Sequence, residues 1–210
     1  MTSPVSSTRV AATLAAACLV STTALFASPG AAASPRVQPC IWPATGTNLQ
    51  QYFGVSVSLV IPSACDSIKA GSKWATPLAF YVARSWKHVP DGYEPSGATP
   101  LEELENDLTV VRFIIDEGTP HQFTVERSAS QIHFRVRDWQ EVYPDDPDWV
   151  FVDVGSHIAM RPLPPGTHTI RGEFVVSRLT CDGTSSDVNQ SCIPPGQFEY
   201  PSTRTFTVVP

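Results

Sequence analysis

Short runs of alternating apolar and polar side chains, broken repeatedly by proline and glycine, set the limits on what this chain can fold into. In residues 55–61 the odd positions are all apolar. In 131–137, Ile132, Phe134 and Val136 fall on one face, and His133, Arg135 and Arg137 on the other. Successive side chains of a strand point to opposite faces, so such runs read as half-buried strands. Segments 74–83, 108–116, 122–126, 149–154, 157–161, 167–179 and 204–209 carry the same signal. Residues 110–115 are apolar except for Arg112, as expected of a strand buried on both faces. Between the runs stand Pro90-Asp91-Gly92, Asp146-Pro147-Asp148, Pro164-Pro165-Gly166 and Pro194-Pro195-Gly196. Proline fixes φ and glycine supplies positive φ, so these groups turn the chain. The pattern predicts an all-β fold, a single antiparallel β-sandwich of the Ig or jelly-roll type.

One short helix interrupts the pattern near residues 100–108. Thr99-Pro100-Leu101-Glu102 reads as an N-cap followed by proline at the first helical position, with Glu102 reaching back. Leu101, Leu104 and Leu108 fall on one side of it.

Residues 1–33 do not belong to the fold. Arg9 precedes an apolar run from Val10 to Val20, and Ala31-Ala32-Ala33 gives a small-residue exit. This is the pattern of a secretory signal peptide, with cleavage expected after Ala33. The rival reading is lipidation at Cys18, after Leu14-Ala15-Ala16-Ala17. Either places residues 34–210, one domain, in the extracellular space or the cell envelope. No other apolar run is long enough to span a bilayer.

In that compartment cysteines pair. Beyond the leader there are four: Cys40, Cys65, Cys181 and Cys192. Three connectivities are open, and the two short loops favour Cys40–Cys65 and Cys181–Cys192. The second bridge would pin a polar stretch from Asp182 to Ser191. The full chain has 14 Lys and Arg against 20 Asp and Glu, and only one of these, Arg9, lies in the leader. An acidic domain without a basic cluster argues against nucleic acid and anionic lipid as partners.

Three segments together resemble a group of secreted bacterial proteins of uncharacterised function. Asp66-Ser67-Ile68-Lys69-Ala70-Gly71-Ser72-Lys73 leads into a strand, and Ile114-Ile115-Asp116-Glu117-Gly118 ends one. Pro162-Leu163-Pro164-Pro165-Gly166-Thr167-His168-Thr169-Ile170 precedes the last strands. Glu117 departs from the group's Asp-Gly turn. The resemblance implies a secreted all-β module and carries no activity with it.

No catalytic constellation stands out. The histidines His88, His121, His133, His157 and His168 show no metal-ligand spacing, and a sheet that gathers His133, His157 and His168 is the one way left to a site among them. Asp145, Asp146 and Asp148 form the densest acidic loop, a candidate Ca²⁺ site that lacks the EF-hand pattern. Asp116, Glu126, Asp138, Glu141 and Glu173 are available for glycoside hydrolysis, and nothing selects a pair. There is no nucleophile elbow. The aromatics say more. Trp139, Tyr143 and Trp149 flank the acidic turn, and an exposed tryptophan platform beside carboxylates suits sugar or peptide. The expectation is a secreted, non-catalytic binding module for carbohydrate or protein. The rivals are a polysaccharide hydrolase and a structural surface protein.

Overall fold

A computed structural model describes residues 37–61, 64–138, 148–199 and 203–210 of the 210-residue chain. Asn48 caps the first helix, α1 (Leu49–Phe53), by accepting from the Gln51 amide at 3.2 Å. Gly54, at φ 63°, ends it. Strands β1 (Ser58–Leu59), β2 (Ser67–Lys69), β3 (Trp74–Ala75) and β4 (Ala79–Ala83) follow. Helix α2 (Pro100–Asp107) then leads directly into β5 (Leu108–Ile115). Next come β6 (Phe123–Ser128), a single 3₁₀ turn at Ala129–Gln131, β7 (Arg135–Asp138), β8 (Trp149–Asp153) and β9 (Gly166–Val176). The C-terminal part comprises β10 (Thr180–Cys181), α3 (Val188–Ser191), β11 (Cys192–Ile193), β12 (Gly196–Glu199) and β13 (Arg204–Val209).

Strands dominate, in two principal open sheets. The larger has the order β2-β13-β9-β5-β6, with β12 pairing the C-terminal half of β9. The smaller is β4-β8-β7. Both contribute to one apolar cluster. Phe80 of β4 lies 4.1 Å from Phe174 of β9, centroid to centroid, and Phe174 stacks on Phe198 of β12 at 6.0 Å. Val82 and Val152 from the small sheet join Val111, Phe113, Ile115 and Ile170 from the large one. Burying each such side chain contributes roughly 1.5–3 kcal/mol. A second cluster gathers Leu49, Tyr52, Phe53, Leu59 and Phe151 around Cys40.

Two disulfides join Cys40 to Cys65 and Cys181 to Cys192. At α2, Thr99 accepts from the Glu102 amide at 3.1 Å, and Glu102 reaches back to the Ala98 amide at 2.9 Å.

Several expectations need correction. The sheets are not wholly antiparallel: β13 pairs β2, and β1 pairs β3, in parallel. Alternation fixes which face a residue takes and says nothing about pairing direction. Helix α2 is joined by α1 and α3, each too short to show a helical period. In 131–137 only residues from Arg135 onward form a strand, and Val136 is exposed while Ile132 is buried. Residues 157–161 contribute one bridge, Met160 to Trp74, in place of a strand.

Candidate functional site

Trp149 opens β8, and its ring is half-buried. Its centroid lies 6.5 Å from that of Tyr81 on the neighbouring strand, with the planes tilted by 38°. Ala83 pairs Trp149 across the ladder, and Tyr81 pairs Phe151, so both aromatics sit on the same face of the small sheet. Trp139, Tyr143, Asp145 and Asp146 lie outside the described residues. Asp148 is exposed and pairs with Lys87 Nζ at 2.6 Å. Among the described residues, no three His, Cys, Asp or Glu side chains are grouped to hold a metal.

Trp149 and Tyr81 border a cleft of about 400 Å³. Its apolar side is built by Phe80, Val82, Leu104, Phe174 and Phe198. Its polar side comes from one contiguous segment, the hairpin β10–β11 with the loop it closes, and includes Asp182, Thr184, Asn189 and Gln190. The Cys181–Cys192 bridge closes this loop. Asp182 ties it to the small sheet by accepting from the Ala83 amide at 2.8 Å through its carbonyl. The Asp182 carboxylate Oδ1 takes the Thr184 amide at 2.8 Å and the Thr184 hydroxyl at 2.6 Å, an Asx turn. Asp187 caps α3 by accepting from the Asn189 amide at 2.9 Å. Gly183 allows the loop to press on α2: its φ is 74°, and a Cβ there would lie 2.7 Å from Pro100 Cγ. Burial raises the Asp182 pKa, and the Thr184 hydrogen bonds oppose the rise.

Several other polar groups are committed to holding the fold. Glu103, fully buried, accepts from Tyr93 Oη, the Cys181 amide at 2.6 Å and the Ser96 amide at 3.1 Å. Burial and the Glu103 carboxylate push the Tyr93 phenol above its ordinary value. Asp153 is fully buried and takes the Gly155 and Ser156 amides, each at 3.0 Å; burial raises its pKa. Glu126 and Glu173 share one guanidinium, Arg112, at 2.8 and 2.9 Å. Gln197 Nε2 donates to Glu173 at 2.7 Å, so this pair is spoken for.

His168 and Asp116 unite two of the motifs noted in the sequence. His168 Nδ1 is 2.7 Å from Asp116 Oδ2, and Nε2 is 2.9 Å from the Pro164 carbonyl. Asp116 Oδ1 accepts from the Thr169 amide at 2.9 Å. One carboxylate thus locks the end of β5 to the start of β9. His133 and His157 come within 5.2 Å of each other, and His168 is occupied elsewhere.

Of the expected ligand- and metal-binding residues described, only Trp149 lies at the cleft, which the bridged Cys181 and Cys192 also line. Nothing in the sequence marks Tyr81 and Phe198 for a site, and Asp182, Asn189 and Gln190 stand out only as part of the polar stretch that the second bridge pins. Their signal was the polar loop between two cysteines: a bridge spent on a stretch with nothing to bury marks a surface held in shape. The chain matches no family model, no curated protein and no solved structure with which it was compared.

Proposed function

We propose that this protein is a secreted or envelope-associated, non-catalytic β-sandwich module that binds an extracellular glycan in the cleft beside Trp149. The sandwich is of the Ig or jelly-roll type to which the strand and turn pattern points, and residues 1–33 are its cleaved leader. The leader pattern and both disulfides support the location. Among the described residues no helix is long and apolar enough to cross a membrane.

The observation that carries the reading is the cleft's two-sided build. Trp149 and Tyr81, packed against the second apolar cluster and bordering the cleft, would set aromatic carbon against the C–H surface of a sugar ring. The loop opposite offers carboxylate, hydroxyl and amide groups for its hydroxyls. Its volume falls in the range of small-ligand sites. Retaining or inverting hydrolysis calls for two carboxyls about 5–9 Å apart. The described cleft lining contains one, Asp182, so binding is the better-supported activity.

The test is thermal shift and titration of the oxidised protein with triacetylchitotriose, cellotriose and peptidoglycan fragments. A ligand of the folded state raises the melting midpoint by mass action. Trp149→Leu keeps apolar bulk and removes the aromatic face. It should weaken the binding glycan about tenfold, or 1.4 kcal/mol, with the circular dichroism spectrum unchanged. Undiminished affinity in a folded Trp149→Leu protein would remove the cleft from consideration.

A further inference from the structure

The cleft is chemically one-sided in charge as well as in polarity. Among the described residues, its lining contains no Lys, Arg or His, and Asp182 is the single ionisable side chain there apart from Tyr81 and the bridged cysteines. Among the described residues, the groups that bond the Asp182 carboxylate or line its wall are neutral: the Thr184 hydroxyl and amide, and the Asn189 and Gln190 side chains. Besides the Asp182 carboxylate, the described side chains offer hydroxyl and amide groups to a ligand's polar atoms. The whole chain adds to this bias with a formal charge of −6. Burial already works against the carboxylate's own charge, so a second anion beside it would meet repulsion in a partly desolvated site with no cation to offset it.

A neutral sugar faces none of this. Its hydroxyls donate to Asp182, its ring oxygens and any acetamido carbonyl accept from the Asn189 and Gln190 amides, and its apolar face lies against Trp149. From the lining we infer that the cleft takes an uncharged hydroxyl- or acetamido-bearing sugar, and that Asp182 is the residue that turns acidic sugars away. This rests on the glycan-binding reading above and adds to it the class of sugar and the residue that selects it.

The experiment compares triacetylchitotriose and cellotriose with trigalacturonate, a uronate of matched length, by isothermal titration at low ionic strength. At least one neutral probe should bind wild-type protein ten or more times tighter than trigalacturonate. Asp182→Asn retains an Oδ1 acceptor for Thr184 and removes the charge. It should strengthen trigalacturonate binding at least fivefold and narrow the ratio between the probes. Asp182→Ser, which also keeps a short acceptor, guards against a misfolded first variant. Glu117→Gln, outside the cleft lining, changes net charge equally and should leave the ratio alone.

Trigalacturonate binding within threefold of the best neutral probe would overturn the selectivity claim and leave the binding site standing. So would an unchanged ratio in both folded Asp182 variants. Failure of both neutral probes and the uronate to bind would sink the glycan reading and this inference with it.

Discussion

His157 carries both ring nitrogens enclosed without a hydrogen-bond partner, and it faces His133, Arg135 and Arg127. Burial first, and electrostatic repulsion from these neighbours next, lower its pKa to about 4. The sign of the linkage follows. Above pH 6.5 neither folded nor unfolded chain holds the proton, and the group is silent. Between pH 6.5 and 4 the unfolded chain takes the proton first, so stability falls as pH falls. Below about 4 both states are protonated and the loss is complete. The whole shift corresponds to about 3 kcal/mol, and the partial exposure of the side chain reduces this to about 1–2 kcal/mol. His157→Phe should therefore flatten the melting midpoint against pH across that window relative to wild type. Parallel curves would mean that the ring is more freely solvated than its surroundings suggest. The neighbouring lesson concerns His168. The turn at Pro165-Gly166 and the strand after it were legible, because proline and glycine act locally. The bond to Asp116, 52 residues away, was not, because no linear pattern records which chain ends meet.

At the scale of elements, α2 was the most legible feature. Its start is written in Thr99, Pro100 and Glu102, each acting within four residues. The run 131–137 misled because alternation alone admits other conformations, and here Ser128 and Gln131 cap a 3₁₀ turn that consumes its beginning. The bridge between Cys181 and Cys192 was readable from spacing, but its role as one wall of a cleft was not, since the opposing wall comes from β4, β8 and β12. That role gives the two disulfides different tasks. Replacing Cys181 and Cys192 by serine releases a loop whose closure contributes about 3 kcal/mol. It should also abolish glycan binding, because Asp182, Asn189 and Gln190 lose their fixed positions. Replacing Cys40 and Cys65 should cost stability through the second apolar cluster, which contains Cys40, and spare affinity. Calorimetry and titration of both double variants separate the two. Equal loss of binding in both would show that the bridges act only on global stability.

For the whole molecule, composition and turns were enough to announce a strand-rich, disulfide-bonded fold. Which strands join which of the two open sheets was out of reach. Residues 204–209 announce themselves as a strand, but their parallel pairing with Ser67–Lys69, from early in the chain, is set by tertiary packing. That packing has one conspicuous joint. Phe174 is 1% exposed, lies on β9 and touches Phe80 of the small sheet and Phe198 of β12. Phe174→Ala leaves a cavity where the sheets share their core, at a cost of about 3–5 kcal/mol. If the sheets are one cooperative unit, that loss must be felt equally on both sides of the joint. Amide exchange reports this directly. Val152 on β8 and Phe113 on β5 are both buried strand residues, one in each sheet. Their protection should fall by the same free energy in the variant. Loss confined to Val152 would mean that the small sheet opens on its own. The aromatic wall of the cleft would then be a separable element docked on a stable six-stranded sheet.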